Sequence, residues 1–107
     1  MPLGIENVAE CFRNGKYTIT VHGYEELDKD SITVNILETA IGYDSPEIIE
    51  DYPTDPRGAS CLVLGWPEPD IPIHVVVGIS NENPEVITAY RPSSSKFYPP
   101  EFRQRKR

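Results

Sequence analysis

The sequence predicts an α+β domain: N-terminal helices packed on one face of a small antiparallel β-sheet. Three observations predict it. Apolar residues recur at helical spacing over residues 5–13 and 34–42. Residues 60–66, 72–79 and 85–90 are short runs rich in β-branched residues. The connections between them, Pro67–Ile71 and Ser80–Pro84, are five residues long and suit antiparallel hairpins. With 107 residues the chain has room for one modest core. The expected organisation is a single domain over residues 1–98 and a basic C-terminal tail over 99–107.

Each element has its own signal. Ile5, Val8, Ala9 and Phe12 share a helical face, and Asn14-Gly15 ends that helix because glycine supplies a left-handed cap. Residues 17–21 alternate Tyr, Thr, Ile, Thr, Val, which predicts a strand with Tyr17, Ile19 and Val21 on one side. His22-Gly23 follows, then an acidic helical turn from Tyr24 to about Lys29. Thr33 has the character of an N-cap, with Val34, Leu37, Ala40 and Ile41 periodic behind it, so a helix runs over residues 34–42. Residues 47–52 are a short strand, and 53–58 a loop.

The hairpin lengths set a register. Leu64 pairs with His74, and His74 with Tyr90. One face then holds Leu62, Leu64, Trp66, His74, Val76, Val86, Thr88 and Tyr90, a mixed set expected to be half open. The other holds Cys61, Val63, Ile73, Val75, Val77, Ile79, Ile87 and Ala89, which the helices should cover. The predicted core is Val8, Phe12, Ile19, Val34, Leu37, Ile41, Val63, Val75, Val77 and Ile87.

Net charge is −7, unevenly spread. Residues 91–107 carry a net +5 and residues 1–90 a net −12. The body repels phosphate and the tail attracts it. Arg103, Arg105, Lys106 and Arg107 are the residues through which nucleic acid would be met. The structural alternative for this tail is a loose, solubilising end. No apolar run reaches the ~20 residues of a membrane span. The first residues lack the basic-then-apolar pattern of a secretory signal. Cys11 and Cys61 lack metal spacing and read as free buried thiols of a cytoplasmic protein, with a disulfide as the alternative.

His22 and His74 are the groups expected to titrate near neutrality. A histidine facing Tyr90 across a sheet can carry a proton or hold an anion. It can equally be a packed ring donating one hydrogen bond, and His22 can simply cap a turn. Trp66, Thr88 and Arg91 would line a binding surface beside them. Glu25, Glu26, Asp28 and Asp30 lack EF-hand spacing and suit a solvated helix face. Phosphate-cradling glycine loops, G-x-S-x-G and H-E-x-x-H are all missing, so neither cofactor nor metal is expected.

Three ordered stretches carry a family resemblance. They are Tyr17-Thr-Ile-Thr-Val-His22-Gly23; Ile32-Thr33 leading to Ala40-Ile41; and Leu62-Val-Leu-Gly65, Pro72-Ile-His74-Val-Val-Val and Val86-Ile-Thr88-Ala-Tyr90-Arg-Pro92, closing with Phe102-Arg103 and a basic end. Together they resemble the small bacterial family known as domain of unknown function 4258, over about residues 17–107. That family is similar to RelE- and BrnT-type toxin domains, whose fold sets helices on a small antiparallel sheet. The resemblance implies a RelE-like architecture, RNA as substrate, an antitoxin-like protein partner, and His22, His74 and Tyr90 as catalytic candidates. The family carries arginines four and eight residues after its first histidine; here those positions hold Glu26 and Asp30. Arginine stabilises charge developing on phosphate, and a carboxylate opposes it. Two functions follow: a non-catalytic binding or regulatory domain, or a metal-independent ribonuclease of a toxin–antitoxin pair. The sequence does not set an oligomeric state.

Overall fold

The computed structural model describes residues 4–107. In chain order the elements are α1 (Ile5–Arg13), β1 (Thr18–Ile19), α2 (Val21–Lys29), α3 (Val34–Gly42), β2 (Glu47–Tyr52), β3 (Ser60–Glu68), β4 (Ile71–Gly78) and β5 (Glu85–Tyr90). The strands form one sheet in the order β1-β5-β4-β3-β2. Pairing is antiparallel except where β1 joins β5 in parallel, so the predicted α+β class is observed with a mixed sheet.

The helices cover one sheet face. Val8, Ala9 and Phe12 of α1 are buried, as the periodicity requires, and Gly15 adopts φ 70° just beyond the helix. The Thr33 side chain accepts a hydrogen bond from Ile36 N at 3.1 Å and caps α3. Its Leu37, Ala40 and Ile41 pack on Val63, Ile73, Val75 and Val77. The approach of α3 to β3 is close: a Cβ on Gly65 would lie 2.7 Å from the Ala40 carbonyl oxygen. Val34, at the solvent edge of α3, is 43% exposed and does not join the predicted core.

The predicted strand 17–21 is cut short. Thr20 is extended, at φ −68° and ψ 163°, and its hydroxyl accepts from Gly23 N at 2.9 Å, which starts α2 at Val21. An N-cap therefore prevails over β-branched alternation, and Val21 is left 78% exposed. Gly23 lets α2 seat on β5, since a Cβ there would sit 2.8 Å from the Val86 carbonyl oxygen.

The central register is as predicted: Leu64 pairs with His74, and His74 with Tyr90. A bulge then intervenes. Val76 pairs with Thr88 but Val77 pairs with Val86, so Ile87 is the extra residue on β5. The bulge moves Val86 into the helix-covered core and leaves Ile87 half-buried, the reverse of the expected assignment.

The other sheet face is closed at its centre, while Trp66, Val76, Thr88 and Tyr90 on it are half-buried, as the expected half-open face allows. Leu62, Leu64 and His74 on it are fully buried. Residues 93–106 fold back over it: Phe97 pairs with Arg105, Tyr98 N donates to Gln104 O at 2.9 Å, and Lys106 N donates to Lys96 O at 2.7 Å. Phe97, 1% exposed, is the apolar plug of this cover. Among the described residues no helix is long and apolar enough to cross a membrane.

Candidate functional site

Register builds the site. Glu47, Leu64, His74 and Tyr90 form one row across β2, β3, β4 and β5, all on the face under the C-terminal segment. A bulge after Ile48 returns Glu50 to the same face, opposite Leu62. The segment brings Phe97, Phe102, Arg103 and Arg105 onto this row.

His74 is enclosed by these groups. Its Nε2 lies 2.8 Å from the Phe102 carbonyl oxygen, and its Nδ1 3.3 Å from the Tyr90 hydroxyl. A carbonyl can only accept, so Nε2 carries the proton and donates it. Burial holds the imidazole below its ordinary pKa, against the opposing effects of the Phe102 hydrogen bond and the Glu50 charge. The ring is neutral at pH 7, and Nδ1 accepts from Tyr90. Both nitrogens are therefore engaged. Phe97 meets the ring edge-on at 4.4 Å between centroids, and Tyr90 at 5.3 Å. Burial likewise raises the Tyr90 phenol, with Arg105 opposing.

An ion-pair ladder closes the outside. Arg105 Nε and Nη2 donate to the Glu50 carboxylate at 3.0 and 2.9 Å, and its guanidinium lies 4.7 Å from the Phe97 ring centre. Tyr52 donates to Glu50 as well. Arg105 holds Glu50 below the usual carboxylate range, and burial followed by the Glu50 bond pushes Tyr52 up to about 12. Arg103 Nε donates to Glu47 at 2.7 Å. Lys106 lies over the Tyr98 ring, and Arg107 is exposed.

The sequence-predicted residues divide by place. His74 and Tyr90 come together. His22 does not join them: it is exposed on α2, 3.6 Å from Glu26, in a crevice of about 240 Å³ with Arg57, Ser80 and Glu85 at the opposite end of β5. Arg57 there is bonded to Asp55 through Nη2 at 3.0 Å. Trp66 is half-buried in the irregular stretch of β3, and Thr88 is half-buried opposite Val76. Arg91 ties the end of β5 to α2, its backbone N donating to Asp30 Oδ2 at 2.7 Å and its Nε to Asp30 O at 3.1 Å. Asp30 thus has a structural task.

Glu47, Glu50, Tyr52, Phe97 and the Phe102 carbonyl were not singled out from the sequence. A signal existed: Arg103 and Arg105 alternate as in a strand, matching two acids on β2. Cys61 is buried and Cys11 half-buried; both are free, and burial pushes the Cys61 thiol up to about 11. Among the described residues, no three His, Cys, Asp or Glu side chains group to hold a metal.

The model of the family described as Domain of unknown function (DUF4258) matches residues 19–91, which spans β1 to the end of β5. No match is found among curated proteins or among solved structures.

Proposed function

The chain belongs to the DUF4258 family, and from that premise we propose that it is a non-catalytic binding or regulatory domain on a toxin-like frame. One observation carries the proposal: His74 is fully buried, with Nε2 on the Phe102 carbonyl and Nδ1 on Tyr90. A general acid or base must reach the proton it moves, and this ring has neither a free nitrogen nor an open side. The cations that would meet RNA support the same conclusion, since Arg103 and Arg105 are already neutralised by Glu47 and Glu50. A protein is then the natural partner. Val21 and Tyr24 on α2 and Val34 on α3 offer it exposed apolar surface.

The second function, a metal-independent ribonuclease, is favoured only by the His22 crevice, where an accessible imidazole lies near Arg57 and Glu85. Incubation of the protein with RNA, with and without ribosomes, beside His22→Ala and His74→Ala variants separates the two. The expected result is no cleavage by any of them. Cleavage by the wild type that disappears in His22→Ala would establish the ribonuclease and end the non-catalytic assignment.

A further inference from the structure

We propose that the cavity between the end of β5 and the turn at residues 93–97 binds a small phosphate monoester through Arg91 and Lys96, with the Glu50-paired Arg105 as part of its wall. The cavity measures about 340 Å³ and is lined by Tyr90, Arg91, Ser93, Lys96, Phe97 and Arg105. Every charged residue in that lining is basic, on a chain whose net charge is −7. Local positive potential of this kind attracts anions against the field of the whole molecule.

The geometry gathers the cations. Lys96 N and Phe97 N both donate to Ser93 O, at 3.1 and 3.0 Å, and this turn brings Lys96 back toward Arg91 at the strand end. Arg91 bonds Asp30 through its backbone N and its Nε, which anchors the side chain. Its two terminal nitrogens make no hydrogen bond to the described residues, and neither does the Lys96 ammonium. Arg105 commits Nε and Nη2 to Glu50 and walls the cavity as a paired cation.

These features select the ligand. One carboxylate carries a single charge, whereas the two cations without an ion-pair partner among the described residues, Arg91 and Lys96, match the dianion of a phosphate monoester. A planar guanidinium pairs two phosphate oxygens at once, with lysine as a point charge beside it. The Phe97 and Tyr90 rings supply apolar wall for the organic part, and the volume falls in the range of small-molecule sites. Tyr90 donates its proton to His74, so the cations hold the anion. This inference does not rest on the non-catalytic assignment: RNA cleavage would end that assignment and leave this site untouched.

The test is titration of the full chain with inorganic phosphate and with glycerol 3-phosphate, acetate and glycerol serving as controls. Binding is read by calorimetry and by the aromatic NMR resonances of Tyr90 and Phe97. Saturable binding of both phosphates near ~1 mM or tighter is expected, with neither control saturating. Lys96→Gln keeps the turn, whose bonds are backbone bonds, and should weaken binding about tenfold. Arg91→Lys should do the same, with a thermal melt reporting on the fold. Absence of saturation by ~10 mM, or titrations unchanged in both variants, overturns the proposal. An oligonucleotide bound equally with and without a terminal phosphate, in competition with glycerol 3-phosphate, overturns it too, because the site would then read phosphodiesters.

Discussion

At the scale of single residues, His74 is the hinge between the sheet and its cover. A buried neutral imidazole that donates to a carbonyl and accepts from a phenol keeps the first bond when it gains a proton but loses the second, because Nδ1–H cannot accept, and the charge is buried. The sign of the pH effect follows from the lowered pKa. The unfolded chain, with histidine near 6.5, takes up the proton first as pH falls. The unfolded state then binds more protons than the folded one, so stability is fully present above pH 6.5 and is lost below it. Glu50 facing this site is also depressed, chiefly by Arg105, so its contribution is complete above the unfolded carboxylate value and is lost as pH falls below it, outside the window from pH 7.5 to 5.5. A urea midpoint measured at pH 7.5 and 5.5 should drop in the wild type, and His74→Gln should flatten that drop. An equal drop in the variant would place the pH response elsewhere.

At the scale of elements, the strands and helices were legible because each carried local instructions. Thr33 and the spacing behind it set α3, and hairpin lengths set the pairing of Leu64, His74 and Tyr90. Three features were not legible. The Ile87 bulge leaves no trace where both faces of a strand are apolar, so the exchange of Val86 and Ile87 is decided by packing. The start of α2 turned on whether Thr20 would continue a strand or cap a helix. The cover of the second face depends on contacts between Arg103 and Glu47 and between Arg105 and Glu50, more than fifty residues apart, set among Pro, Ser and charged residues that locally read as loose chain. Phe97 is the test of that cover. It is 1% exposed, edge-on to His74 and beneath Arg105. Phe97→Ala should cost about 3–5 kcal/mol in a denaturant melt through lost burial and a cavity. A cost under ~0.5 kcal/mol, the range of surface changes, would mean that the segment does not cover the face in solution.

At the scale of the whole molecule, the chain separates charge in sequence and then partly cancels it in space. The body has a net −12 and the final seventeen residues a net +5, and folding lays Arg103 and Arg105 on Glu47 and Glu50. Exposed ion pairs contribute little to stability, but these pairs also decide what the basic end presents to a phosphate backbone. Each cation that meets a phosphate releases a counterion, and the count of such contacts sets the salt dependence of binding. With two arginines occupied, weak RNA binding with a shallow salt slope is expected. Replacing Glu47 and Glu50 together by Gln frees both guanidiniums and moves the net charge from −7 to −5. The double variant should bind single-stranded RNA more tightly at low salt, with the slope of log K against log salt steeper by about 1.4, from ~0.7 per added contact. A filter-binding series across salt concentrations measures both quantities. If affinity and slope stay at their wild-type values, Glu47 and Glu50 do not govern the basic end, and the charge of the body as a whole must be what keeps RNA away.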